Sequence, residues 1–79
     1  MKRLEILRKI QEILADIIDN ENLVLEEASS PSTVDDWDSL AHFNLIMELQ
    51  SEYGVKFGAV EVQSWHCVGD IITSITSKA

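Results

Sequence analysis

In the stretch DDWDSLAHFNLIMEL, Asp35, Asp36 and Asp38 surround Trp37, and Ser39 follows where an amphipathic run begins. A serine hydroxyl becomes a nucleophile when a base takes its proton. The chain has only His42 and His66 for that part. His42 stands three residues on, one helical turn from the hydroxyl, yet there is no G-x-S-x-G turn and no glycine-built oxyanion site. Cys67 is the sole cysteine. Its neighbour His66 would point about 100° away from it on a helix, which makes a poor dyad. Cys67 therefore reads as a small, semi-buried residue near a helix start. Two histidines and one cysteine also lack the spacing of a zinc site. An enzyme is the poorer reading of these residues. What remains is a serine just inside a helix, where the first-turn N–H groups and the helix dipole favour an attached phosphate. The chemistry would then be brought by another protein.

The elements that must position this serine can be read from hydrophobic spacing. Leu7, Ile10, Leu14 and Ile17, with Ile6, Ile13 and Ile18, form one apolar stripe, which predicts a helix from about Lys2 to Asp19. Asn20 to Asp38 has no clear period and holds the single proline, Pro31. Loops this long are uncommon and tend to be functional or tied down by their own side chains. Leu23, Leu25, Val34 and Trp37 are its expected anchors. A second helix is predicted from Ser39 to about Tyr53, capped by Asp38 at its start and stopped at Gly54. On a helical projection Asn44, Glu48, Ser51 and Glu52 share a polar arc with Ala41. Phe43, Leu45, Ile46, Leu49 and Tyr53 face the other way, with Leu40 and Met47 on the seam. His42 falls on the inward side one turn from Ser39, where a neutral ring bonded to the long loop is expected, with contact to a phosphate on Ser39 as the alternative. A loop then leads to a short helix around Ala59 to Trp65. Val68, Ile71, Ile72 and Ile75 mark a last helix, whose β-branched residues need tertiary support. The fold class expected is all-α: a small four-helix bundle in one domain, residues 1–79.

Seventy-nine residues bury roughly 60 to 65% of the unfolded-chain surface, which leaves little room for an enzyme's concave site. The apolar share, 46%, is too high for a disordered tail. The net charge of −8 argues against nucleic acid or an anionic membrane and for basic protein surfaces as partners. Four of the six bases lie within the first nine residues, so the surface beyond should be almost purely acidic. A lone cysteine fits a reducing compartment, and a cytoplasmic monomer is expected. Polar residues interrupt every apolar run near the amino terminus, so it does not read as a signal sequence, and no segment approaches a membrane span.

Asp38-Ser39-Leu40 resembles the D-S-L motif of acyl carrier proteins, whose serine receives the 4'-phosphopantetheine arm of coenzyme A. The motif is short, but the length, the acidity, the long loop, the short third element and a last helix opening near VGDI resemble the family over essentially the whole chain. The resemblance implies that Ser39 is an attachment point and that acyl groups ride on the arm as thioesters. It implies recognition of a phosphopantetheinyl transferase and of acyl-loading and acyl-processing enzymes through Asp35, Asp36, Asp38, Leu40, Met47, Glu48 and Glu52. It also implies an interior that shelters the acyl chain, for which Phe43, Ile46, Leu49, Tyr53, Ile71, Ile72 and Ile75 are the expected lining. Val60 and Val62 should face that lining from the later segments.

The departures point further. Ala41, Asn44, Gln50 and Ser51 stand where carriers of primary fatty acid synthesis tend to have acids, and Glu61 is the sole acid between Val55 and Val68. This more neutral face looks like a carrier of a specialised pathway, such as polyketide, modified-sugar or lipid assembly. A peptidyl or D-alanyl carrier, or a non-carrier acidic module that binds a basic partner, stays open as an alternative.

Overall fold

The computed structural model describes residues 2–78. Helix α1 spans Arg3–Ile17, and its apolar stripe narrows to Ile6, Ile10 and Leu14, which are wholly buried. Leu7, Ile13 and Ile17 pack at the margins. The helix is slightly shorter than expected because Lys2 is extended and Asp19 turns the chain with φ 55°. Helix α2 is Ser39–Tyr53, α3 is Ala59–Gln63 and α4 is Val68–Lys78. No strand occurs among the described residues, so the all-α class stands. α3 stops two residues before the expected Trp65: the Ser64 hydroxyl donates to the Glu61 carbonyl (2.6 Å), closing the last turn.

α1 packs against both α2 and α4. The core joins the α1 stripe to Ala41, Leu45 and Leu49 of α2 and to Val68, Ile71, Ile72 and Ile75 of α4. Each such aliphatic side chain contributes about 1.5–3 kcal/mol through burial, which offsets the weak helix propensity of the isoleucines in α4.

The long connection between α1 and α2 is fixed by its own side chains. Leu23, Leu25 and Trp37 are buried, and Val34 is half-buried. The Leu25 N–H donates to Gln11 Oε1 of α1 (2.8 Å). The connection also supplies the cap that α4 lacks in sequence. Val68 N–H donates to the Ser29 carbonyl and Gly69 N–H to the Glu27 carbonyl, both at 2.8 Å, so two first-turn donors are satisfied. A Cβ on Gly69 would stand 3.2 Å from Glu27 Oε1 and 3.3 Å from its carbonyl, so glycine permits this approach. Arg3 clasps the junction, donating to Glu27 (2.6 Å) and to the Gly69 carbonyl (3.1 Å).

Candidate functional site

Three residues turn the chain into α2. Asp36 takes a left-handed conformation (φ 67°), which aspartate tolerates better than most residues. The turn sends Trp37 inward, where 3% of it stays exposed, and leaves the flanking carboxylates outside. Asp38 is then extended at the N-cap, and its Oδ1 accepts from the Ala41 N–H at 2.8 Å. That bond satisfies one of the donors every helix start leaves free. Ser39 is thus the first residue of α2, exposed, with no hydrogen bond from its hydroxyl to another described residue.

Negative charge around the serine is uncompensated. Asp35, Asp36 and Asp38 are exposed and pair with no base among the described residues. Arg3 is engaged by Glu27, Lys9 by Glu12 and Glu52, and Lys78 by Glu61. Glu48 and Glu52 lie elsewhere: they line an open groove of about 590 Å³ beside α1, together with Glu12, Asp16 and Asp19. The resemblance counts them among the recognition residues with the acids around the serine, and the structure sets them in this groove instead.

The reason is a rotation of α2. Its inward line is Ala41–Leu45–Leu49, so Ala41 is buried and not on the polar arc, and Phe43 points outward at 58% exposure. The expectation of Phe43 as an interior residue is therefore corrected. Val60 is corrected likewise, at 82% exposure on the short α3, while Val62 is half-buried. Phe43 and Met47 (50%), one and two turns along from Ser39, join Leu40 (68%) beside it as exposed apolar residues of α2. Three large apolar residues are thus left exposed on the outer side of one helix. The i, i+4 spacing of Ser39, Phe43 and Met47 was the available signal. The projection sets Ala41 on the polar arc, whereas the inward line runs through it.

Of the other expected lining residues, Leu49, Ile71, Ile72 and Ile75 are buried, and Ile46 and Tyr53 half-buried. Burial and the nearby Glu52 and Glu5 push the Tyr53 phenol up. Ile71 borders a recess of about 50 Å³ with Pro31, Trp37, His42, Trp65, His66 and Cys67. Around it Trp37 donates its indole N–H to His42 Nδ1 (3.1 Å), as the inward reading of His42 anticipated. Trp65 stands edge-on to His42 (6.3 Å, 86°) and to Phe57 (4.9 Å, 79°), and donates to Ser74 Oγ at 2.8 Å. Burial pushes the His42 imidazole below its ordinary value of 6.5. Among the described residues no cluster of His, Cys, Asp or Glu could hold a metal ion, and no helix is long and apolar enough to cross a membrane.

Comparison with known proteins places these features in a family. The chain is 35% identical over 79 residues to an acyl carrier protein of Thermotoga maritima, a match spanning 96% of this chain and 94% of that protein. The solution NMR structure of holo acyl carrier protein from Geobacter metallireducens superposes with a TM-score of 0.83 at 35% identity, covering 91% of this chain and 83% of the other. No family model matches the chain.

Proposed function

The chain belongs to the acyl carrier protein family, and we propose that within it Ser39 is the residue that takes the 4'-phosphopantetheine arm. The protein is a carrier of acyl groups and not an enzyme. Its prosthetic group is phosphopantetheine, whose terminal thiol holds the acyl group as a thioester.

The observation that carries the assignment is the placement of Ser39. It is the first residue of a fifteen-residue helix, exposed, and preceded by an N-cap carboxylate that leaves it free. A phosphodiester on its oxygen would sit at the positive end of the α2 dipole, an environment suited to an anion. Ser39 lies exposed at the helix start, two residues after the buried Trp37.

Recognition divides into two parts in this reading. Asp35, Asp36 and Asp38 attract basic surfaces of a phosphopantetheinyl transferase and of acyl-loading and acyl-processing enzymes. Such charges set encounter rate and partner choice more than raw affinity. Leu40, Phe43 and Met47 supply the apolar contact once the partner arrives. The recognition helix carries Asn44, Gln50 and Ser51 where carriers of primary fatty acid synthesis tend to have acids, which supports a carrier of a specialised pathway. Ala41, being buried, no longer bears on that point. A single carrier domain, acting as a cytoplasmic monomer, completes the proposal.

Coexpression with a phosphopantetheinyl transferase, followed by intact mass measurement, is the test. The protein gains the phosphopantetheine mass, whereas Ser39→Ala gains none and melts at the same temperature, because an exposed first-turn serine adds little to the core. An alanine variant that is still modified would move the attachment elsewhere.

A further inference from the structure

We propose that Trp37 and His42 form a positioning clamp across the turn that presents Ser39, closed only while the His42 imidazole is neutral, so that attachment of the arm is gated by protonation. The inference rests on the reading of Ser39 as the attachment residue.

The clamp is a short closed loop. Trp37 lies two residues before Ser39 and His42 three residues after it, and their side chains meet beneath the turn, 3.1 Å between indole Nε1 and imidazole Nδ1. The indole N–H can only donate, so Nδ1 must accept and the ring proton sits on Nε2. The backbone runs alongside: the His42 N–H donates to the Asp38 carbonyl at 2.9 Å. Asp36, Trp37, Asp38 and Ser39 are thereby held in one geometry, with a left-handed residue at one end and a cap at the other.

Protonation undoes it. An imidazolium carries N–H on both nitrogens, so two donors would face each other across 3.1 Å in a half-buried setting. Trp37 must then turn away, and with 3% of it exposed it anchors the end of the long connection. The groups packed round His42 offer the cation little. Trp65, His66 and Cys67 face it from the segment between α3 and α4, Ile71 from α4 and Pro31 from the connection. No carboxylate lines that recess, and Asp70 at the start of α4 accepts from the His66 N–H at 2.8 Å. On its own helix Asp38 spends Oδ1 on the Ala41 N–H. Burial accordingly lowers the pKa of His42 in the fold below that in the unfolded chain. The folded state then binds fewer protons, so the clamp's contribution is whole above the ordinary value of 6.5 and is lost as pH falls through the folded value.

His42→Asn separates this from a merely structural role. The asparagine Oδ1 can stand where Nδ1 stands, accepting from Trp37 without titrating. Arm transfer from coenzyme A is followed by intact mass between pH 5 and 8 for both proteins, and the ratio of their rates cancels the transferase's own pH dependence. The ratio of original to variant should fall about tenfold for each unit below the His42 midpoint, following its neutral fraction. In the same range the Trp37 indole N–H resonance should shift with the midpoint of the His42 ring in an NMR titration. A flat ratio with normal mass gain, or an indole signal unmoved while His42 titrates, overturns the clamp. No mass gain at any pH overturns the reading of Ser39 itself, and this inference with it.

Discussion

Asp38 is asked to do two things, and two substitutions divide them. Its Oδ1 accepts from the Ala41 N–H at 2.8 Å, and its charge stands next to Ser39. Asp38→Ala removes both; Asp38→Asn keeps an acceptor oxygen and removes the charge. Loss of an N-cap acceptor costs about 1 kcal/mol, within a range of roughly 0.5–2, and asparagine caps about as well as aspartate. For a domain of this size, 1 kcal/mol lowers Tm by about 4–8 °C. Asp38→Ala should therefore melt about 4–8 °C below the original protein, and Asp38→Asn within a degree or two of it. Arm transfer should be slower for both, since each lacks the carboxylate. Raising salt should slow the original protein and narrow its lead over Asp38→Asn, because exposed charges beyond about 10 Å are largely screened at 0.1 M. Circular dichroism melts and initial rates by mass measurement provide the readings. If the two variants melt alike, Asp38 is not the cap that holds the helix start. If Asp38→Asn is modified at the original rate at every salt concentration, its charge is not read by the transferase.

Phe43→Ala should leave Tm nearly unchanged, because Phe43 is 58% exposed, while it slows turnover with acyl-processing partners; a large loss of stability would place the ring inside the bundle. Leu45→Ala, in contrast, removes a wholly buried side chain of the α2 inward line and should cost about 2–5 kcal/mol by denaturant titration. Gly54 ends α2 with φ 63° and has open space where a Cβ would go, so Gly54→Ala should cost about 1–2 kcal/mol through backbone strain alone. An unchanged denaturation midpoint there would remove the left-handed cap from the account.

Much of the site was legible because it is local. An N-cap interacts with groups two or three residues away, so Asp38-Ser39 could be placed at a helix start from its neighbours alone. Gly54 ended the same helix for an equally local reason, and it is indeed the left-handed cap. The stripe of α1 and the isoleucines of α4 announced buried faces by their spacing. His42 meeting the long connection was legible too, since the contact closes over five residues.

The rotation of α2 was not legible. Its apolar residues run almost all the way round, so no single face dominates, and the choice falls to what α1 presents. α1 brings bulky isoleucine and leucine to the contact, and Ala41, small enough to admit them, turns inward while Phe43 turns out. A projection weighs side chains one helix at a time and cannot see the partner's shape. The capping of α4 by the Ser29 and Glu27 carbonyls was hidden for the same reason, since it joins residues about forty apart. Periodicity and capping are decided by neighbours in the chain, and so the sequence by itself determined the helices and the position of the serine. Which side of a helix is inside is decided by the volume of whatever packs against it, and only the tertiary structure could place Phe43 on the surface and seat the Trp37–His42 pair beneath Ser39.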